Sequence, residues 1–159
     1  MNRKFFTDLM QVIHFFGTKL IYNLITMNNK LIIIRGLPGS GKTTKAKQIL
    51  AENPTYKHYE ADMYFERDGE YVFVPSHVPD AHKWCQTATF FALSAGHTVV
   101  VSNTFTTKKE IEPYITIANN LKIPFEILTL TENYGNIHNV PQHTLNKMQN
   151  RFETVINFN

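Results

Sequence analysis

A chain of 159 residues, 43% of them apolar, is long enough for one domain with a sizeable core, and this composition excludes a disordered chain. The formal charge of +3 is a mild basic bias, compatible with a phosphate-rich ligand but too small to demand one. Cys85 is the single cysteine, which excludes an internal disulfide and a cysteine-based zinc site and suits a reducing cytoplasm, the compartment expected here.

In residues 1–26, Phe5, Leu9, Val12, Ile13, Phe16, Leu20 and Leu24 recur at helical steps. Asp8, Gln11, His14 and Lys19 interrupt the run, so neither a transmembrane span nor a secretory signal is expected. Three readings stay open: an extra helix packed on the domain, a membrane-surface helix, or a start assigned too early. The first and last are favoured, and no membrane partner is expected. Met27 stands just before a strand at 30–35, so the domain is read as 27–159.

From there strand and helix alternate. Leu31-Ile32-Ile33-Ile34 reads as a buried strand, followed by a glycine-rich loop and a helix over 42–52 that stops at Asn53-Pro54. A short strand near 57–60 ends in Ala61-Asp62, and a loop runs through Gly69, Pro75 and Pro79. The next helix spans about 80–95, with Ala81, Trp84, Cys85, Ala88, Phe91 and Ala95 on one side and Gly96 as its stop. A valine-rich strand follows over 97–102. Thr107 and Glu110 have capping-box spacing and open a helix with Ile111, Tyr114, Ile115, Ala118 and Leu121 inward. Pro113 is tolerated because it lies near that helix's beginning. A strand over 124–130, a loop rich in Asn and Gly, and a helix bearing Leu145, Met148 and Phe152 complete the chain. The alternation predicts an α/β fold, a parallel sheet with helices on both faces. Ligands of such sheets bind beyond the carboxyl ends of the strands, which places loop 36–43, Asp62 and Ser102-Asn103-Thr104 around one crevice.

Gly36-Leu37-Pro38-Gly39-Ser40-Gly41-Lys42-Thr43 fits G-x-x-x-x-G-K-[ST], a loop whose inward N–H groups cradle phosphates at a helix N-terminus. Gly36, Pro38, Gly39, Ser40, Gly41, Lys42, Thr43 and Thr44 are therefore the expected ATP contacts. Lys42 reaches the β- and γ-phosphates, and the Thr43 hydroxyl ligates Mg²⁺. No His/Asp/Glu spacing suggests another metal.

Other sites carry two readings each. Asp62 is either a base that accepts the proton of an attacking hydroxyl or a cap after a strand. Arg151 is either a mobile cation that engages the phosphates or a solvated helix-face residue. His138 and His143 either contact phosphate or lie plainly on the surface. His82 either holds a substrate or completes a helix face. The usual acid closing a neighbouring strand to organise Mg²⁺ is missing: that strand ends in Ser102, which leaves a water-mediated role to Ser102 or a double duty to Asp62.

These residues resemble a known family. GLPGSGKTT, EADMYF (60–65), AHKWC (81–85), VVVSNTFT (99–106), EIEPY (110–114) and GNIHNVPQHTLNKMQNRFE (135–153) are similar to the P-loop kinase-like family. That family includes the kinase domain of polynucleotide kinases and the NEDD4-binding protein 2-like proteins, many of them in bacteriophages. The resemblance implies an ATP-dependent kinase with a lid over about 132–151. It implies Asp62 as activator of a 5′-hydroxyl, Arg151 as the lid arginine, and Asn103-Thr104 as a substrate-side motif. Two departures bear on the acceptor. Phe65 stands where polynucleotide kinases have a basic residue (Arg67 is the nearest), and Ser102 stands where many relatives have Asp.

Three functions follow. The first is a Mg²⁺–ATP phosphotransferase acting on the 5′-hydroxyl of DNA or RNA. The second keeps the chemistry with a nucleoside-like small acceptor. The third is a nucleotide-gated adaptor with little turnover. No obligate protein partner is expected.

Overall fold

Leu31-Ile32-Ile33-Ile34 lies in the interior of a sheet because both of its faces are covered. In the computed structural model, which describes residues 29–135 and 140–158, strand β1 (Leu31–Gly36) is buried along its whole length. The expected helix in 1–26 and the candidate His138 lie outside the described residues. After β1 come α1 (Lys42–Glu52), β2 (Lys57–Tyr59), a 3-10 turn (Ala61–Phe65), β3 (Glu66–Arg67) and β4 (Glu70–Tyr71). A second 3-10 turn (Pro75–His77) leads to α2 (Val78–Ser94), β5 (Val99–Asn103), α3 (Lys108–Leu121), β6 (Phe125–Leu130) and α4 (Gln142–Arg151).

The main sheet has four parallel strands in the order β2-β5-β1-β6. Strand side chains alternate between faces, and each face finds a helix. Ile32, Ile34 and Val100 pack with Ala46, Ile49 and Leu50 of α1. Leu31, Ile33, Val99 and Val101 pack with Cys85 and Leu93 of α2 and with Ile111, Tyr114, Ile115 and Ala118 of α3. Register then sets the site. Ile34 pairs with Ser102 and Arg35 with Asn103. Tyr59 pairs with Val101, so Glu60 leaves β2 level with Ser102. Because β5 lies between β1 and β2, the loops leaving all three open on one carboxyl edge.

The segment expected as a loop before α2 is more ordered than that. Glu66–Arg67 and Glu70–Tyr71 pair antiparallel, turned by Asp68 (φ 51°) and Gly69 (φ 83°). Two consecutive positive φ values are what a two-residue hairpin turn needs. Pro79 belongs to the first turn of α2 rather than to the loop, where its fixed φ suits a helix and its missing N–H costs no bond. The cap on α3 is formed as the sequence predicts: Glu110 Oε2 accepts from Thr106 N at 2.6 Å and from Thr107 N at 3.4 Å. No helix among the described residues is long and apolar enough to cross a membrane.

One buried charge ties the chain's end to this frame. Arg35 has no exposed surface. Its Nε donates to Phe105 O at 3.0 Å, its Nη2 to Thr106 O at 3.4 Å, and its guanidinium lies 4.2 Å from the Phe152 ring centroid. Beside it Glu153 N donates to Thr106 O, and Lys108 N donates to Glu153 Oε2, both at 2.8 Å. The exit of α4 is thereby anchored on the corner between β5 and α3.

Candidate functional site

The glycine-rich loop takes a shape that its glycines alone permit. Gly39 and Gly41 have φ of 82° and 85°, in the left-handed region. Gly41 caps α1 without any side-chain hydrogen bond, and the first turn carries no acid. The positive end of this helix is thus not compensated by a side chain of its own first turn, an arrangement suited to an anion. Lys42 projects from the same turn and donates to Leu37 O at 2.9 Å. Ser40 Oγ is buried without a hydrogen-bond partner. Gly36 N donates to Thr104 O at 3.2 Å, so Thr104 steadies the entry to the loop through its main chain. Pro38 and Thr43 are half-buried, and Thr44 is exposed. Residues 133–135 lie against the loop: Tyr134 N donates to Gly39 O at 2.9 Å, and a Cβ on Gly39 would stand 2.1 Å from Gly135 O.

Burial pulls the Lys42 ammonium down to about 8, against the upward pull of Glu60 and Asp62. Only the protonated form attracts phosphate. Nucleotide affinity is therefore expected to be level below pH 8 and to weaken as pH rises through it, measurable by calorimetry between pH 7 and 9. A flat profile would contradict it.

Glu60 is the residue that sequence reasoning missed. Its Oε1 accepts from Thr43 Oγ1 at 2.9 Å and from the Ser102 hydroxyl, and lies 3.3 Å from His58 Nε2. His58 Nε2 is also 2.8 Å from Ser102 Oγ. Burial pushes the Glu60 carboxyl up, but hydrogen bonds from His58, Ser102 and Thr43 outweigh it and hold it below its ordinary range. A carboxylate therefore stands beside the loop's terminal hydroxyl, supplied by β2 rather than by Ser102 on β5. Thr43 and Glu60 are the pair of hard oxygen donors here that could hold a divalent cation.

Asp62 is exposed on the 3-10 turn two residues on. The charge of Lys42 responds to both Glu60 and Asp62, so the three belong to one electrostatic unit. Asn103 is buried and engaged at both ends of its amide: Oδ1 accepts from Ala61 N at 2.8 Å, and Nδ2 faces Cys85 Sγ at 3.8 Å. Through Ala61 it holds the start of the turn that carries Asp62. His82 is half-buried on α2. Arg151 pairs with Glu110 at 3.5 Å, with its side chain 52% exposed. His143 is exposed, with Nε2 3.3 Å from Thr144 Oγ1.

A family model described as an AAA domain matches residues 31–132. Human NEDD4-binding protein 2 is 31% identical over 93 residues, which are 58% of this chain and 5% of that protein. The chain thus spans a small part of that relative's length. An uncharacterized protein of Pasteurella multocida is 30% identical over 131 residues, 74% of this chain and 73% of its own. Among solved structures, Chaetomium thermophilum Kti12 in complex with ADP-AlF3 has a TM-score of 0.60 at 17% identity, over 77% of this chain and 80% of that one. The Pnkp1/Rnl/Hen1 RNA repair complex gives 0.53 at 19%, over 82% and 40%. A gluconokinase from Sinorhizobium meliloti gives 0.53 at 17%, over 78% and 75%. These structural likenesses establish the fold, and the matched model extends over well more than half of the chain. The chain belongs to the P-loop kinase-like family that this AAA-domain model describes.

Proposed function

We propose that this protein transfers the γ-phosphate of ATP to a hydroxyl presented at Asp62. The observation that carries the reading is the convergence of Lys42, Thr43, Glu60 and Asp62 at the carboxyl edge of β1, β2 and β5, around a helix N-terminus that no side chain caps. Kinases on this fold, such as the gluconokinase, and a nucleotide-bound relative in shape, Kti12, support it.

On this reading the loop amides and Lys42 hold the phosphates and neutralise charge as it develops on them. Mg²⁺ would sit with Thr43 and Glu60 and supply electrostatic stabilisation of the phosphates. Asp62 accepts the proton of the acceptor hydroxyl while its oxygen bonds to the γ-phosphorus and ADP departs. Asn103 holds the Asp62 turn in place. Residues 132–151 act as a lid, and Arg151 reaches the phosphates by leaving Glu110.

Glu60→Gln keeps the shape and removes the charge. It is expected to weaken the Mg²⁺-dependent part of ATP affinity by about 10–100-fold, with a smaller change in metal-free affinity because Glu60 also supports the charge of Lys42. Mg²⁺ titration of nucleotide binding measures this directly. Unchanged Mg²⁺ dependence would remove Glu60 from the metal.

Resemblance to polynucleotide kinases and the likeness to an RNA repair complex make a 5′-hydroxyl of DNA or RNA the first acceptor to offer. A second reading, a small uncharged acceptor, is favoured by the hairpin beside Asp62, where Glu66, Asp68 and Glu70 outnumber Arg67. The adaptor reading drew on the missing acid at Ser102, and Glu60 takes away that support. The test is acceptor-stimulated ADP release with 5′-hydroxyl oligonucleotides, nucleosides and sugars in parallel. Stimulation by any of them supports phosphotransfer and names the class. ATP binding with no stimulation by the whole panel would favour the adaptor.

A further inference from the structure

The surface next to Asp62 is aromatic and exposed, which is unusual for side chains of this size. Tyr71, Val72 and Phe73 are 55%, 53% and 51% exposed. Tyr71 ends the hairpin that follows the Asp62 turn, Val72 and Phe73 continue from it, and Val72 N is bonded to Phe65 O at 2.9 Å. Phe65, buried to 4% exposure, forms the floor beneath them. Its ring centroid is 5.0 Å from that of Phe73 and 6.2 Å from that of Tyr71, both edge-on. The outer rings are therefore fixed from below and open above. Burial raises the Tyr71 hydroxyl's pKa, and Asp62 and Glu66 raise it further, which puts this ring within the field of the Asp62 carboxylate.

The same hairpin carries Glu66, Asp68 and Glu70 against Arg67, all exposed. An acidic rim repels a chain of phosphates but tolerates a neutral ring. Aromatic platforms stack planar groups without demanding a particular hydrogen-bond pattern.

We propose that Tyr71 and Phe73 form an acceptor shelf, on which an uncharged planar ring stacks while its attached hydroxyl reaches Asp62. The acceptor class is a ring-bearing alcohol without phosphates near the ring, with nucleosides as its simplest members. The proposal rests on the phosphotransfer reading for the hydroxyl's role, but stacking itself does not depend on turnover.

The test separates the two. Adenosine is the probe, followed by ligand-observed NMR on the whole chain and, in parallel, by label transfer from γ-labelled ATP. Wild type should bind adenosine. Phe73→Ser, a change at a half-exposed position, should weaken that binding about tenfold or more while ATP affinity is unchanged. In transfer, the same variant should raise KM for the nucleoside with little change in kcat, and Phe73→Tyr should restore it. Glu70→Lys should leave the nucleoside KM alone and lower the KM for a 5′-hydroxyl oligonucleotide. Adenosine bound in a Phe73-dependent way without label transfer would keep the shelf and sink the phosphotransfer reading. Transfer to an oligonucleotide or an aliphatic alcohol, with KM indifferent to Phe73→Ser, would overturn the shelf and keep phosphotransfer. A concentration-dependent dimer abolished by Phe73→Ser, with no adenosine binding, would assign the patch to self-association and also overturn it.

Discussion

Asp62→Asn is expected to lower phosphotransfer by about 10²–10⁴-fold while ATP affinity stays within about twofold. Asparagine has the same outline but cannot take a proton from the acceptor hydroxyl. Asp62 is exposed, and the turn that carries it is held by neighbours. Ala61 N is bonded to Asn103, and Phe65 is buried at the other end of the same turn. Thermal unfolding of the variant, measured alongside, separates a loss of chemistry from collapse. The measurement is kcat with saturating acceptor beside the ATP dissociation constant. Activity within threefold of wild type would mean that Asp62 is not the base.

The second large effect concerns stability. Arg35→Ala is expected to cost about 3–5 kcal/mol, since each buried carbonyl left without its donor costs about 1–3 kcal/mol and the contact of the cation with a ring is lost as well. Two carbonyls, Phe105 O and Thr106 O, would lose their donor inside the protein. Phe152 would lose the guanidinium on its face, and Glu110 and Glu153 would lose the cation whose charge they support. In a chain of this length that corresponds to a fall in Tm of roughly 6–20 °C. Thermal and denaturant unfolding measure it, and a fall below about 2 °C would show that the network is worth little. Since Arg35 immediately precedes the loop and grips the exit of α4, the variant should also loosen α4, visible as faster amide exchange over Gln142–Arg151.

Much of the frame is legible in the sequence because its causes are local. Leu31-Ile32-Ile33-Ile34 and Val99-Val100-Val101 are apolar on every residue, which strands covered on both faces require. Asn53-Pro54 ends α1 where expected, and Thr107 with Glu110 opens α3. What stayed hidden depends on contacts between distant residues. Glu60 reads as one more acid until β2 pairs with β5 and sets it level with Ser102. The strand order is likewise absent from any periodicity. Arg35 resembles an ordinary strand-end charge, and only the packing of Phe152 and the 105–106 carbonyls reveals why it is buried. The hairpin is a different case, since Asp68-Gly69 between short polar pairs is a two-residue turn signal that was there to be used.

The claim at the centre is that phosphate leaves ATP for a hydroxyl at Asp62, and following the label tests it most directly. Under single-turnover conditions with γ-labelled ATP and the mixed acceptor pool, the label should be recovered as a stable phosphoester on one acceptor class, at a rate that Asp62→Asn abolishes. Label recovered only in ATP and inorganic phosphate, with ATP bound tightly by both proteins, would contradict the account.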